Sequence, residues 1–269
     1  MQNYKYLKDL RNRIAIVTGA SSGLGEQIAY QLAKRGAIVV VCARRIDRLE
    51  AVSQRCRELS GRLSTAMELD VAQPEQIEQV IEQVENELGP IDVLINDAGF
   101  GLMENALDFN MDIAEKMFRV NVLGLMYMTK YAALKMSVRK RGAIVNIASV
   151  AGKIATPKSA VYSATKAAVL GYSNALRLEL KPLGISVLTV NPGPIKTDFF
   201  NIADKSGHYL ENVGLFVLDP EETAEKVVKA IGTSRRELNL PYVFQAMYHF
   251  YQFCPWVGDY LAGNLFNKK

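Results

Sequence analysis

Tyr162 and Lys166 stand four residues apart, and this pair of residue types could perform acid–base chemistry. Residues i and i+4 lie on the same face of a helix, so the two side chains can share one site. A free tyrosine has a pKa of about 10, and a neighbouring ammonium lowers that pKa because it favours the phenolate. A phenol adjusted in this way can exchange a proton with a carbonyl or alcohol oxygen. Taken alone the pair is a weak indication, since most such pairs only pack at a surface.

Ser149 lies thirteen residues before Tyr162, at the end of a predicted strand. Ligands of open α/β sheets bind at the carboxyl ends of the strands. The Ser149 hydroxyl could therefore hold a substrate oxygen next to the tyrosine. The alternative is a structural role, in which this hydroxyl caps a turn or a helix.

A glycine cluster, Thr18-Gly-Ala-Ser-Ser-Gly-Leu-Gly25, separates the first predicted strand from the first predicted helix. Glycines let the backbone turn tightly and approach a ligand, and the free amides of a helix start attract an anion such as a pyrophosphate. The spacing G-x-x-x-G-x-G differs from the commoner G-x-G-x-x-G fingerprint. At a strand-to-helix junction we favour cofactor binding over a merely flexible loop, with contacts from Gly19, Ser21, Ser22, Gly23, Leu24 and Gly25.

The second predicted strand ends in Arg44 and Arg45 and carries no carboxylate there. A site that prefers NAD usually places Asp or Glu at this point to bind the ribose 2′-hydroxyl. The planar donor fork of arginine would instead pair with a 2′-phosphate. Two solvated arginines are the alternative, but a helix start attracts anions rather than cations. We therefore predict NADP(H) as the cofactor, bound by Arg44 and Arg45.

Strands and helices alternate along the whole chain, which predicts a parallel sheet covered on both faces. The predicted strands are 13–18, 37–42, 64–69, 91–95, 142–148, 185–190 and 237–240, and the predicted helices are 26–35, 46–59, 75–88, 112–139, 159–180, 220–231 and 243–253. The fold class is thus α/β, a Rossmann-type doubly wound parallel sheet of about seven strands. No linker or repeat divides the chain, so we predict one catalytic domain over 1–269, with an N-terminal extension 1–11 and an aromatic C-terminal extension 241–269.

Composition excludes several function classes. The net charge of +4 is spread along the chain, which gives no case for nucleic acid as a partner. Three scattered cysteines and two histidines suit neither a disulfide framework nor a metal site, and we predict no metal. The polar start is unlike a secretory signal, and the longest strongly apolar run, 36–43, is far short of the roughly 20 residues that span a bilayer. We expect a cytoplasmic protein.

Together these residues resemble the short-chain dehydrogenase/reductase family in its one-domain form with a catalytic tetrad. The resemblance covers roughly residues 12–240. The matching residues fall in family order and at family spacing: Thr18-Gly19-x-x-x-Gly23-x-Gly25, Asp70, Asn96-Asp97-Ala98-Gly99, Asn121, Ser149, Tyr162-x-x-x-Lys166 and Pro192-Gly193.

The resemblance implies a role for each tetrad residue. Tyr162 would be the general acid/base, and Lys166 would lower its pKa and hold the nicotinamide ribose. Ser149 would orient the substrate oxygen. Asn121 would keep a helix backbone open for a water that links Lys166 to solvent. Hydride would pass between the nicotinamide and a substrate carbon.

Further cofactor contacts are implied by the same resemblance. Asp70 and Val71 would border the adenine, and the segment with Asn96, Ala98 and Gly99 would form the cofactor floor. The nicotinamide carboxamide would be flanked by Pro192, Gly193, Ile195 and Thr197.

Two features depart from the family pattern. Asp97 stands where the family usually has a second asparagine, and a carboxylate lacks the amide's NH₂ donor. That substitution puts one sheet-stabilising hydrogen bond in question rather than the chemistry. The chain also continues for 29 residues past the last predicted strand, over 241–269.

The family's variable substrate loop corresponds to 196–219, which is rich in apolar residues: Phe199, Phe200, Ile202, Tyr209, Leu210, Val213, Leu215 and Phe216. Met103, Ile154 and Pro157 could form the opposite wall. These residues indicate an apolar substrate or, equally, a lid that packs on its own scaffold.

The apolar helix 243–253 must also be buried against another surface. Because 237–267 has no Lys or Arg, we favour the active-site mouth or a subunit interface over a membrane surface.

The leading hypothesis is an NADPH-dependent carbonyl reductase, or in reverse an alcohol dehydrogenase. A 3-oxoacyl carrier-protein reductase is the alternative, but its acidic carrier needs a basic surface near the cleft, and Arg139, Lys140 and Arg141 precede a strand instead of following one. A non-catalytic nicotinamide-binding regulator or scaffold is the alternative from another class.

The family commonly forms homodimers or homotetramers through helices that correspond to 112–139 and 158–181. Met117, Val120, Leu123, Tyr127 and Tyr131 recur there at helical spacing and could serve such an interface or the core.

Overall fold

The fold is built on one parallel sheet. A computed structural model describes residues 4–204 and 214–265. Its strands are β1 (Ile14–Thr18), β2 (Ile38–Ala43), β3 (Ser64–Glu68), β4 (Ile91–Asn96), β5 (Gly142–Ile147), β6 (Ile185–Pro192) and β7 (Glu237–Leu240). The order across the sheet is β3-β2-β1-β4-β5-β6-β7, and every neighbouring pair is parallel. The predicted Rossmann-type fold class is confirmed.

Helices cover both faces of the sheet. On one face lie α1 (Gly23–Ala33), α2 (Ile46–Ser60) and α8 (Pro220–Ala230). On the other lie α3 (Pro74–Glu87), α5 (Leu125–Arg139) and α6 (Ala160–Leu180). The remaining helices are α4 (Met111–Phe118), α7 (Phe199–Ala203), α9 (Val243–Phe253) and α10 (Pro255–Tyr260).

The strand β1 shows why the strands are apolar on both faces. Ala15 and Val17 pack into the core under α1 and α2, while Ile14 and Ile16 pack into the core under α3 and α5. Successive side chains of a strand point to opposite faces, so a strand covered on both sides needs an unbroken apolar run. The two cores together hold the carboxyl ends of the strands in a fixed row.

Two helices differ from their predicted bounds by more than one residue at an end or in their interior. The first starts at Gly23 rather than at residue 26, because the end of the glycine cluster itself forms the first helical turn. The predicted helix 112–139 is interrupted by a π-helical turn, Arg119–Gly124, between α4 and α5. A Cβ on Gly124 would lie 2.6 Å from the Val71 carbonyl oxygen, so this turn packs directly against the chain that follows β3.

Within the described residues, no helix is both long enough and apolar enough to cross a membrane. The same part of the chain holds no group of three or more His, Cys, Asp or Glu side chains arranged to bind a metal ion. Burial raises the pKa of Cys42 and of Cys56 to about 12, which leaves both thiols protonated and unreactive at neutral pH.

Candidate active site

A cavity of about 910 Å³ runs along the edge of the sheet where the strands end. This is the crevice at which the strand order reverses, between β1 and β4. Most residues predicted to contact the cofactor line it: Gly19, Ser21, Ser22, Gly23, Leu24, Arg44, Arg45, Asp70, Val71, Ala98, Gly99, Tyr162, Lys166, Pro192, Gly193, Ile195 and Thr197. Gly25, Asn96 and Asn121 are not in the lining and lie behind its surface.

The glycine-rich loop needs glycine for two separate reasons. Gly19 has φ +71° and Gly23 has φ +65°, values that residues with a Cβ rarely adopt. A Cβ on Gly19 would also lie 2.9 Å from the Ala98 backbone. The hydroxyl of Thr18 accepts hydrogen bonds from the amides of Asp97 and Ala98, each at 3.1 Å. The end of β1 is therefore bound tightly to the end of β4.

The first turn of α1 is left open towards the cavity. Ser22 occupies the N-cap position, but its side chain makes no capping hydrogen bond. Its hydroxyl instead accepts from the Arg45 guanidinium at 2.9 Å, and the Ser21 hydroxyl accepts from the same group at 2.8 Å. Uncapped amides at a helix N-terminus suit an anion, so this cradle fits the pyrophosphate of a dinucleotide.

Arg44 and Arg45 have different surroundings. Arg45 is held against the loop by the two serine hydroxyls. Arg44 is exposed at the cavity wall and has no ion-pair partner among the described residues. Its guanidinium remains available to a phosphate at this end of the cleft.

Lys166 lies at the centre of the candidate site. Its buried ammonium donates a hydrogen bond of 2.9 Å to the Ile147 carbonyl at the end of β5, and lies 5.8 Å from the centre of the Tyr162 ring. Burial lowers the pKa of Lys166 to about 8, and the nearby Asp97 carboxylate opposes that shift in part. The sequence interval of four residues thus places both side chains in one cavity.

Ser149 has the capping role that the sequence offered, and its role in orienting a substrate oxygen stays a prediction. Its hydroxyl accepts from the amide of Ala151 at 3.1 Å and so caps the short 3-10 turn Val150–Gly152. The same side chain lines the cavity that contains Tyr162. The cap fixes the direction of the hydroxyl, which is what a group that orients a substrate oxygen requires.

Asn121 braces the helix that carries Tyr162. It is buried in the π-helical turn, and its amide group both donates to the Phe100 carbonyl (2.9 Å) and accepts from the Phe100 amide (3.0 Å). It also donates to Thr165 at 3.2 Å, whose hydroxyl donates to the Tyr162 carbonyl at 2.8 Å. The water relay that the resemblance implies for Asn121 stays a prediction.

A family profile described as short chain dehydrogenase matches residues 13–206 of the chain. The chain belongs to this family. The human protein "Dehydrogenase/reductase SDR family member 7" is 37% identical over 213 residues, which cover 77% of this chain and 62% of that relative. The "11-beta-hydroxysteroid dehydrogenase A" of Sesamum indicum is 31% identical, over 95% of this chain and 76% of its own length.

Two solved structures of the family share the fold closely. A short-chain dehydrogenase from Sphingobium yanoikuyae in complex with NADPH gives a TM-score of 0.79 at 28% identity, over 91% of this chain and 94% of that one. An alcohol dehydrogenase from Thermococcus sibiricus complexed with 5-hydroxy-NADP gives a TM-score of 0.78 at 26% identity, over 87% and 98% of the two chains.

The far end of the cleft in this short-chain dehydrogenase is walled by apolar side chains. Of the predicted wall, Met103, Ile154, Phe199, Phe200, Ile202 and Phe216 line the cavity, whereas Pro157 is not in the lining. Tyr209, Leu210, Val213 and the side chain of Leu215 lie outside the described residues. The Phe199 ring lies 5.7 Å from the ring of Tyr162, which brings this wall directly to the predicted acid–base group.

Sequence reasoning missed several wall residues, namely Phe100, Phe244, Met247 and Ala262. Phe244 and Met247 belong to α9, the helix that the sequence required to be buried against something. Phe244 packs 5.4 Å from the Phe216 ring, and a Cβ on Gly193 would lie 2.8 Å from its ring. The apolar character of α9 was the available signal, but periodicity alone does not say which surface a helix covers.

The C-terminal extension is buried only in part. Its inner side forms the cavity mouth, as favoured from the sequence, while several large side chains stay exposed: Tyr242, Val243, Phe250, Phe253, Trp256, Val257 and Tyr260. Lys153, four residues after Ser149, is ion-paired with Glu237 and lies 4.8 Å above the Tyr248 ring. The contact with Tyr248 attaches α9, and the ion pair attaches β7, to the segment that follows Ser149.

Proposed function

We propose that this protein is an NADP(H)-dependent oxidoreductase that acts on the carbonyl or secondary-alcohol group of an apolar substrate. Tyr162, Lys166 and Ser149 line the same cavity as the glycine-rich loop, and this observation carries the proposal. A cofactor held by the loop would lie beside an acid–base group, as a carbonyl–alcohol conversion requires.

The cofactor-binding part of the proposal rests on the loop and the two arginines. The open first turn of α1 would receive the pyrophosphate, and Arg44 and Arg45 would receive the 2′-phosphate. The absence of a carboxylate after β2 favours NADP(H) over NAD(H). Complexes of two family neighbours with NADPH and with 5-hydroxy-NADP support this preference. Hydride transfer is the chemistry that a bound nicotinamide supplies.

The chain's own residues would transfer the proton and position the substrate oxygen. In reduction, the Tyr162 hydroxyl donates its proton to the substrate oxygen, and in oxidation the phenolate accepts that proton. The Lys166 ammonium stabilises the phenolate by its charge. The Ser149 hydroxyl donates to the substrate oxygen and holds it within reach of Tyr162.

The substrate would be apolar because the wall next to Tyr162 is aromatic and aliphatic. Phe199 contacts the tyrosine ring, and Phe216, Phe244 and Met247 continue the wall towards the mouth. Such a wall favours a hydrocarbon portion through the burial of apolar surface.

The alternative of a carrier-protein reductase gains no support from the basic residues at the carboxyl end of α5 and directly after it. Arg139 is bound to Glu85 at 2.7 Å, and the Arg141 guanidinium lies 3.6 Å from Asp92 at the amino-terminal start of β4. Both charges therefore lie at the opposite edge of the sheet from the cavity. A homodimer or homotetramer remains our proposal for the assembly, and Met117, which is fully buried, belongs to the core rather than to that interface.

Cofactor titration and turnover together test this proposal. NADPH and NADH are titrated by nicotinamide fluorescence, and NADPH consumption is followed with a panel of apolar ketones and aldehydes. Y162F is expected to lose turnover by about 10²- to 10⁴-fold while NADPH affinity stays within about twofold. Y172F is the control, because Tyr172 is half-buried on the same helix, and this variant should keep its turnover. Full turnover by Y162F would contradict the acid–base role of Tyr162, whereas NADPH binding by the wild-type protein without turnover of any substrate would favour the non-catalytic alternative.

A further inference from the structure

Asp97, the residue that departs from the family pattern, lies beneath the glycine-rich loop. It directly follows β4, and its backbone amide donates to Thr18 at 3.1 Å. Its carboxylate accepts the amide hydrogen of Gly25 in the first turn of α1. A Cβ on Gly25 would lie 2.7 Å from the Asp97 Oδ2 atom, so the carboxylate touches the helix end directly.

This position makes Asp97 an internal anion at the N-terminus of α1. Apart from the Gly25 amide, the first turn receives no side-chain cap from Ser22, and Gly23 and Leu24 line the cavity where the proposed function places the cofactor's pyrophosphate. Asp97 lines the same cavity, so two anions would then lie at one helix end. Like charges in a buried site disfavour each other, and a carboxylate can relieve the repulsion by taking up a proton.

The groups that face Asp97 come from three elements. From α6 the Lys166 ammonium favours the carboxylate, from α1 the Gly25 amide does the same, and from β1 the Thr18 hydroxyl contacts only its backbone. Burial outweighs these effects and raises the pKa of Asp97 to about 7. The carboxyl is therefore balanced between its two forms at neutral pH, where a new negative charge nearby changes its protonation most.

We propose that Asp97 is a positioning residue that takes up a proton from solvent when the cofactor's pyrophosphate occupies the glycine-rich loop. This inference rests on the proposed function. Protonation removes the charge repulsion, and a protonated carboxyl regains one donor of the asparagine usual at this position. NADPH affinity must then fall as the pH rises through 7, because the proton becomes harder to supply.

Proton uptake can be measured directly by calorimetry of NADPH binding in two buffers that differ in ionisation enthalpy. For a shift of one pKa unit on binding, wild type at pH 7.5 takes up about half a proton more than D97N. The cofactor's own 2′-phosphate titrates near pH ~6, but it contributes equally to both proteins. The difference should vanish at pH 5, where Asp97 is already protonated.

D92N is the matched control. Asp92 is a buried carboxyl at the opposite end of the same strand, close to Arg13 and Arg141, and burial raises its pKa as well. Removing it should leave the proton uptake at the wild-type value. Equal uptake by wild type and D97N overturns the inference, as does an equal loss in D92N and D97N.

Measurements on the wild-type protein keep the test decisive if D97N is unstable. On the wild-type protein, infrared difference spectra on NADPH addition should gain a band of a protonated carboxyl, and no such band overturns the inference. If NADPH binds and turns over without extra proton uptake, only the role of Asp97 fails. If NADPH does not bind to the wild-type protein, the proposed function fails and this inference fails with it.

Discussion

The proposed cofactor end of the cleft has a wall of backbone, whereas the proposed substrate end has a wall of side chains. At the cofactor end the wall is mostly backbone: Gly19 and Gly23 have positive φ, and their loop contacts the chain after β4 at distances that admit no side chain. At the substrate end the wall consists of large side chains on the short helix α7 and on α9. Phe199 on α7 and Phe244 and Met247 on α9 are examples, and Phe216 of the 3-10 turn Gly214–Phe216 adds to them.

This difference predicts where the protein tolerates amino-acid substitutions. A wall of backbone has no rotamers to adjust, so a single added methyl group must displace a neighbouring chain. A wall of aromatic and methionine side chains can repack around a new group at a modest energetic cost. Substitutions at the cofactor end should therefore affect all substrates alike, and substitutions at the substrate end should affect selectivity.

The largest effect is expected from G25A. The added Cβ would lie 2.7 Å from both the Asp97 Oδ2 atom and the Gly19 carbonyl oxygen, and that carbonyl cannot move without moving the loop. NADPH affinity should fall about 100-fold, which corresponds to ~2.7 kcal/mol, and turnover should fall with every substrate. Fluorescence titration measures the affinity.

G171A is the control for that substitution. Gly171 lies inside α6 with nothing within 4 Å of its Cβ position, so alanine should stabilise the protein by ~0.5–1 kcal/mol and leave NADPH affinity unchanged. Equal effects of the two changes on affinity would show that the loop is not a rigid backbone wall.

R44A should separate the two cofactors. A guanidinium–phosphate hydrogen bond contributes about 1.5–3 kcal/mol, so NADPH affinity should fall about tenfold or more while NADH affinity stays constant. R55A, an exposed arginine of α2 paired with Glu58, should change neither. A parallel loss of both cofactors in R44A would contradict the assignment of the 2′-phosphate to this end of the cleft.

The pH profile of kcat/KM tests the role proposed for Lys166 beside Tyr162. Burial disfavours the charged form of Lys166 and lowers its pKa to about 8, so the ammonium that supports Tyr162 is lost as the pH rises through 8. We expect kcat/KM to fall about tenfold per pH unit above that point. A profile that stays flat to pH 10 would be inconsistent with this role of Lys166.

The smallest effect is expected from M247A at the substrate end. Loss of part of the apolar wall should raise KM for apolar ketones about three- to tenfold without changing NADPH affinity. F253A on the same helix is the control, because its side chain is 85% exposed and does not line the cavity. If M247A weakened NADPH instead, the proposed division between the two ends would be wrong.

The fold could be predicted, and the glycine-rich loop could be assigned to the proposed cofactor end, because both signals are local. The run from residue 13 to 18 is apolar on both faces, and the glycines follow it directly, so both the strand and the loop are visible in a short window. The carboxyl ends of parallel strands must meet at one edge, which places Ser149 near Tyr162 without any further information. The start of α1 was misplaced because glycines were interpreted as loop, although the open helix end needs them.

The order of strands and helices was readable from the amino-acid sequence alone, and the sequence also predicted the tetrad and the residue types that would face a cofactor. Only the tertiary structure decided three further features. Asp97 touches Gly25 across 72 residues of chain, Phe244 packs on Gly193, and the π-helical turn directs Asn121 at Phe100. Periodicity reports which face of an element is apolar, but the partner of that face depends on how distant elements pack together.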